Sequence, residues 1–395
     1  MKNVIPRDLW DYRIGDLFYQ LLYEIGAVGG NHEKYLHIKG LGKCLPISSG
    51  RAALVIAIKS LRLPPGARIG VPLFCCPVVF EAIERAGGQP VFIDCDKDTF
   101  CLSVNDLEKK VKNLNGLIVV HMFGNPANMD EILYTARNIP VIEDCAQALG
   151  SRYNNKALGQ FGKISMFSFR SGKYISAGEG GAIFSNDQKI HEECARIVRL
   201  LPKPNIINEI KHLIMTATKS YFRQRPLYGL IGRRIWGSIS NYGKISKRES
   251  ISLSTIYKSD LALIKKRLRF LDMMVQNQRK IASIYLQELE IDKDMMCWEK
   301  PSTYYNRFYF PITFPSKQMR DRMAEFLLIN NIDSMKYLDG LIPVARKHFG
   351  YEGGCPVSET LSERVLNLPC YYNLAEHEVE MIIKAFNSSW NKMPA

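Results

Sequence analysis

Lys173 stands in FSFRSGKYISAGEGGAIF, residues 167–184, among small and apolar residues with serines and glycines on both sides. An amine held in a tight, partly desolvated stretch has a lowered pKa and is a nucleophile towards carbonyls. The plainer reading is a loop lysine pointing into water. Three other short pieces carry complementary chemistry. Ser48-Ser49-Gly50-Arg51 directly precedes a helical run, Ala52 to Leu61. A Ser-Gly helix start offers free N–H groups and a positive dipole end, which suit a phosphate, or else it simply caps the helix. Asp144, in VIEDCAQ (141–147), follows a buried apolar strand run. A carboxylate there needs a partner or it protonates, and a protonated ring nitrogen is a partner that fits. Gln147, three residues on, can hydrogen-bond a ring substituent; an ordinary strand-end acid and a surface amide are the alternative. Ser168 ends another apolar strand, five residues before Lys173, and its hydroxyl can reach a phosphate or a backbone group.

These pieces need a scaffold that brings them together. From about residue 45 to 190, strand-like and helix-like segments alternate: ARIGVPLF, QPVFIDCD, GLIVVHMFG and PVIEDC read as strands, VVFEAIERAG, NDLEKKVK and MDEILYTARN as helices, with Asn105 as a cap. Such alternation predicts a mostly parallel sheet covered by helices on both faces, with ligands bound beyond the carboxyl ends of its strands. After Ser250 a long amphipathic helix over 259–290, the strand RFYFPITF and two further helices predict a smaller C-terminal α+β domain. The resulting division is 1–44, packing on the small domain or a dimer partner; 45–202, the large domain; 203–250, a basic, aromatic-rich excursion; and 251–395. On one parallel sheet, the four pieces describe a pyridoxal phosphate site. The helix start and a serine take the phosphate, the acid keeps the ring nitrogen protonated, and the lysine bonds the aldehyde and then moves a proton.

Composition bounds the remaining classes. The chain has 395 residues, 46% hydrophobic and 23% charged, enough for a large core in two or more lobes. Its longest apolar runs, such as 71–80, fall far short of the roughly 20 residues needed to span a bilayer, and the charged N-terminus carries no signal-peptide pattern. The expectation is a cytoplasmic protein. Ten cysteines occur without C-x-x-C or zinc spacing, so reduced core thiols and no metal are expected. The net charge is +14, and residues 203–248 hold ten Lys/Arg against one acid, Glu209. That stretch reads as a solvated excursion or as a surface for acidic substrates or anionic membrane; no nucleic-acid-binding pattern accompanies it. The segment after Lys173 lacks G-x-x-x-x-G-K-[ST] and G-x-G-x-x-G, which excludes nucleotide loops.

The motifs resemble a known family. SSGRAAL, QPVFIDCDKDTF, VVHMFGNPANMDEI, VIEDCAQALGSRYNNKALGQFG, FSFRSGKYISAGEGGAIFSND and RVLNLPCYYNL are similar, in order and spacing, to segments of the DegT/StrS sugar aminotransferases of the aspartate aminotransferase fold. The resemblance implies a homodimeric transaminase that uses pyridoxal 5'-phosphate, an amino-acid donor such as glutamate and a nucleotide-linked keto-sugar, in surface-polysaccharide or related sugar biosynthesis. It implies Lys173 as the Schiff-base lysine, Asp144 on the ring nitrogen, Gln147 on the ring hydroxyl, and Ser168, Ser49 and Gly50 with its neighbours on the phosphate. Some relatives carry histidine at the lysine position and dehydrate their substrate; lysine here favours transamination. A non-catalytic relative with a regulatory or scaffold role is the alternative from another class. Three positions depart from the family. Arg51 replaces a threonine and contacts either the phosphate or another partner. Cys76 stands where an aromatic stacks on the ring, unless Phe74 takes that place. The segment that supplies a neighbouring subunit's asparagine is replaced by 203–248. His121 is either a partner of Asp144 or a satisfied core histidine. Tyr304, Tyr305 and Arg307 either face substrate or pack.

Overall fold

The computed structural model describes residues 3–28, 35–233 and 251–393. An eight-stranded sheet forms the centre of the larger part. Its strands are β1 (Leu36–Ile38), β2 (Gly42–Ile47), β3 (Arg68–Pro72), β4 (Gln89–Ile93), β5 (Gly116–Val120), β6 (Val141–Asp144), β9 (Ile164–Ser168) and β10 (Gly181–Phe184). The two short strands omitted from this run, β7 (Arg152–Tyr153) and β8 (Lys156–Ala157), belong to a separate ribbon. The sheet order is β1-β2-β10-β9-β6-β5-β3-β4. β4, β3, β5, β6 and β9 run parallel, and β10, β2 and β1 add an antiparallel edge. β5 and β6 are buried at every residue, as expected of central strands in a sheet covered on both faces: β5 is apolar throughout, and β6 buries Glu143 and Asp144 at its end.

Helices α2 (Gly50–Ser60), α3 (Val78–Arg85), α4 (Val104–Lys110) and α5 (Met129–Thr135) form the crossovers. α2 is almost wholly buried, its run Ala52–Ile58 lying within the main core. The cap of α4 is Ser103 and not Asn105: Ser103 has extended backbone and its Oγ accepts the Asp106 N–H, which leaves Asn105 inside the first turn. Residues 36–44, assigned by sequence to an N-terminal segment, instead supply β1 and the first half of β2 to the large sheet. Only the first residues cross to the other lobe, where Ile5 bridges Ile332 and Arg7 pairs with Asp333 at 2.8 Å.

The smaller part has its own core. β12 (Phe310–Thr313) and β13 (Met335–Lys336) flank β14 (Val365–Leu368) in an antiparallel sheet, with β11 (Thr303–Tyr304) joined instead to β7. Helices Lys317–Ile329 and Glu376–Trp390 cover that sheet. The expected single helix over 259–290 is two, Lys258–Leu268 and Leu271–Glu288, separated at Arg269–Phe270, where Phe270 leaves helical angles. The second helix spans both cores, Leu271, Met274 and Val275 joining the large one and Ile281, Ala282 and Tyr285 the small one. Part of the basic excursion is a helix: α7 (Ile206–Tyr221), after α6 (Gln188–Arg199), packs against α1 (Ile14–Glu24). Residues 234–248 of that stretch lie outside the described residues. Among the described residues no helix is long and apolar enough to cross a membrane.

Candidate active site

The carboxyl ends of β6 and β9 and the start of α2 meet at one cleft, the place where ligands bind in sheets of this kind. Ser49, Gly50, Arg51, Cys76, Asp144, Gln147, Ser168 and Lys173 all line it. The positioning follows from local sequence. Ser49 caps α2 in extended backbone, its Oγ accepting the Ala52 N–H at 3.1 Å, so the helix N–H groups that precede Ala52 open towards the cleft. A Cβ on Gly50 would lie 2.8 Å from Ser168 Cβ and 3.0 Å from its Oγ, so the helix start and the serine touch only because residue 50 is glycine. GEGG (178–181) acts by close approach: a Cβ on Gly181 would meet the Ser49 carbonyl at 2.5 Å, and Gly180 bridges Ser49. The glycines let β10 run directly beneath the helix start. A helix N-terminus with a serine hydroxyl against it is a fitting cradle for a phosphate.

Asp144 closes β6 and is buried. Its Oδ1 accepts the Ala146 N–H at 2.9 Å. Burial pushes its pKa up, against the pull of that N–H, Lys173 and His121. A carboxylate so placed gains most from a cation brought to it, and the protonated nitrogen of a pyridine ring is such a group. Lys173 is half-buried, with Nζ 5.1 Å from the centre of the Phe308 ring. Burial, and then the charge of Arg170, lower its pKa to about 8, against the opposing pull of Asp144. At neutral pH an appreciable fraction is therefore the free amine. These features fit pyridoxal phosphate: a cradle for its phosphate, an acid for its nitrogen and an amine for its aldehyde.

Gln147 is held between two groups. Its Oε1 accepts the Phe123 N–H at 2.9 Å, and its Nε2 donates to the Tyr337 hydroxyl at 2.8 Å. The amide is thereby oriented, with one N–H left for a ligand. Cys76 lines the cleft, whereas Phe74 is buried among Phe100, Phe123 and Tyr337. Among the described residues no aromatic ring lines this cleft; Cys76, Val78 and Val79 occupy one wall. His121 is buried and satisfied by Glu143 (Nε2 to Oε2, 3.1 Å) and by the Ala127 N–H on Nδ1. The second contact leaves the proton on Nε2. His121, Glu143 and Cys145 place ligand-type atoms within 4.8 Å of one another. Glu143, however, already accepts the N–H groups of Gly159, Phe161 and Gly162, and it serves to pin that loop to the sheet. Tyr304, Tyr305 and Arg307 pack: Arg279 stacks on Tyr304 at 4.0 Å, and Arg307 lies over Tyr305 and donates to the Cys297 carbonyl.

Residues that the sequence reading missed complete the site. Arg170 and Glu179 line the cleft, and Glu179 Oε2 is buried with no hydrogen-bond partner among the described residues. Both lie in motifs already singled out. Asn306, fully buried, ties the two lobes together: its Nδ2 donates to the carbonyls of Gln147 and Leu149, and its Oδ1 accepts the Phe308 N–H. Nothing in its sequence neighbourhood marks it.

A sequence model described as the DegT/DnrJ/EryC1/StrS aminotransferase family matches residues 33–205 and 255–387. The chain is 26% identical over 352 residues, 87% of its length and 85% of the relative's, to GDP-perosamine synthase of Escherichia coli O157:H7. It is 27% identical over 378 residues, 92% of its length and 90% of the relative's, to the UDP-N-acetyl-3-dehydro-alpha-D-glucosamine 3-aminotransferase of Acidithiobacillus ferrooxidans. Among solved structures, Helicobacter pylori PseC, an aminotransferase of pseudaminic acid biosynthesis, superposes with a TM-score of 0.76 at 16% identity, over 99% of this chain and 100% of that one.

Proposed function

The chain belongs to the DegT/DnrJ/EryC1/StrS aminotransferase family and is a pyridoxal-phosphate-dependent transaminase, and from that premise we propose that its acceptor is a keto-sugar carried on a nucleoside diphosphate, with glutamate as the amino donor. The observation that carries the reading is the meeting of a low-pKa lysine and a buried acid in one cleft. Relatives named for GDP-, UDP- and dTDP-linked sugars support the acceptor class. We assign the product to surface-polysaccharide or related sugar biosynthesis, the working form to a homodimer, and the compartment to the cytoplasm. Ten cysteines, all free and nine of them buried, favour a reducing compartment.

When bound, pyridoxal phosphate supplies an aldehyde that carries the amino group and a ring that accepts electrons. In this reading the residues hold and serve it. Ser168, Ser49 and the first N–H groups of α2 take the phosphate dianion on the positive end of the helix. Arg51 adds a cation at the same rim. Asp144 keeps a proton on the ring nitrogen, which its burial makes favourable on both sides: the acid loses its penalty and the nitrogen keeps its charge. Gln147, fixed by Phe123 and Tyr337, donates its second N–H to the ring hydroxyl. Lys173 would hold the aldehyde, and as a free amine its Nζ would take the proton from the donor's α-carbon and later return one to the acceptor carbon. Phe308 and the apolar wall of Cys76, Val78 and Val79 limit water around Nζ, which keeps the amine neutral. The test is a screen of glutamate, glutamine and aspartate against nucleotide-linked 3-keto and 4-keto sugars, followed by mass spectrometry. Amination of a sugar nucleotide that is lost in Lys173→Ala upholds the reading. A transaminase that turns over only free amino and keto acids refutes the acceptor class.

A further inference from the structure

The outward faces of α1 and α7 are apolar. On α1, Ile14, Phe18, Leu21, Leu22 and Ile25 recur at helical spacing and all lie exposed, while Gln20 faces inward. On α7, Ile206, Ile207, Ile210, Ile214 and Tyr221 form a second exposed stripe, while Glu209, Leu213, Thr216 and Ser220 face the protein. The two helices pack on each other. Of the 20 large hydrophobic residues exposed among the described residues, 14 lie within 14–25 and 200–231. A patch of this kind marks a contact surface.

The exposed charge along α7 has one sign, while on α1 Asp16 pairs with Arg267 and Glu24 lies half-buried beside Glu209. The only acid between residues 203 and 233, Glu209, is buried and accepts the Lys258 N–H at 2.5 Å. Arg223 and Arg225 are paired inward, with Asp8 and Glu378. Lys203, Lys211 and Lys219 stand exposed and take part in no ion pair among the described residues. A helix with an isoleucine stripe, flanking lysines and no outward acid has the pattern of one that lies in a membrane interface. At 16 residues, α7 is about 24 Å long, enough to lie along such a surface, and no described helix can cross the bilayer. The exposed lysines of α7 complement an anionic surface better than a second copy of a face that carries the same lysines.

We propose that the α1–α7 face docks the enzyme on an anionic lipid surface, the isoleucine and leucine side chains entering the headgroup boundary and the lysines meeting lipid phosphates. This holds independently of which sugar is aminated. The test is co-sedimentation of the holoenzyme with phosphatidylcholine vesicles, with and without about 30% phosphatidylglycerol. Binding is expected to need the anionic lipid and to weaken roughly tenfold from low salt to about 0.5 M. Ile210→Glu with Ile214→Glu, neither of which touches the cleft, is expected to lower binding at least about tenfold. The same variant should keep the holoenzyme absorbance and turnover in solution, which shows that it folds. Binding that ignores lipid charge, or that the double variant leaves unchanged, overturns the proposal. So does a double variant that turns a dimer into a monomer while vesicle binding persists.

Discussion

Gly50→Ala separates the cofactor cradle from the stability of the fold. The added methyl would lie 2.8 Å from Ser168 Cβ and 3.0 Å from Met166 Cε. Ordinary contact begins near 3.4 Å, so the end of β9 must retreat from the helix start by roughly 0.6 Å or more. Residue 50 has no positive φ, so alanine at this helical position recovers about 0.5–1 kcal/mol of backbone propensity. That gain offsets only part of the overpacking against Ser168 Cβ, typically about 1–3 kcal/mol, so the fold should lose no more than about 2 kcal/mol and still unfold cooperatively. The phosphate site has no such compensation. Moving Ser168 Oγ away from the first N–H groups of α2 removes one charge-assisted hydrogen bond, worth about 1.5–3 kcal/mol, or roughly 10- to 150-fold in cofactor affinity. Apoenzyme titrated with pyridoxal phosphate, read by absorbance, and thermal unfolding of the apoenzyme give the two numbers. A dissociation constant within about twofold of the parent, in a variant that unfolds normally, refutes the cradle.

Other consequences follow from the same structure. Because burial and Arg170 lower the Lys173 pKa to about 8, the rate at which apoenzyme captures the cofactor should rise with pH and level off above about 8; a rise continuing towards the ordinary lysine range would mean the amine is not desolvated. Gly124→Ala should destabilise by about 3 kcal/mol or more in denaturant unfolding, since its backbone has φ +86° and the methyl would fall 1.9 Å from Asn306 Oδ1, breaking bonds that join the lobes; a loss below about 1 kcal/mol counts against Asn306 as the tie. Burial, then Glu209, raise the Glu24 pKa from 4.5 to about 7. The folded state holds that proton longer than the unfolded one, so this group's contribution to stability falls as pH rises from about 4.5 to 7 and is flat beyond. Glu24→Gln should flatten that fall, and an unchanged pH–stability curve would contradict the carboxyl pairing.

The parallel sheet was legible because short apolar runs, GLIVV in β5 and PVI leading into β6, alternate with amphipathic helices, a pattern that few other architectures accommodate. Lys173, Asp144, Ser168 and Ser49-Gly50 could be singled out because ligand sites of such sheets lie at strand ends. What the sequence hid depends on tertiary neighbours. The partner of His121 is Glu143, one residue from the acid the strand-end argument points to, and only the fold shows which side each occupies. Asn306 reaches across the lobes from a segment that reads as an ordinary aromatic strand. GEGG matches no nucleotide loop, and only the fold shows that glycine is required there by the Ser49 backbone lying against Gly181. The helix break at Arg269–Phe270 carries no glycine or proline, so nothing in the local sequence marks it. The basic stretch showed its charge in the sequence, but not that α7 turns its isoleucines outward and its only acid inward.

Covalent attachment of the cofactor at one amine is the claim on which the site rests. Borohydride reduction of the holoenzyme, followed by peptide mass mapping, tests it most directly. A single pyridoxyl-modified peptide spanning Lys173, absent when the lysine is replaced, is the predicted result. Modification at another lysine, or none in protein that carries bound cofactor, would contradict it.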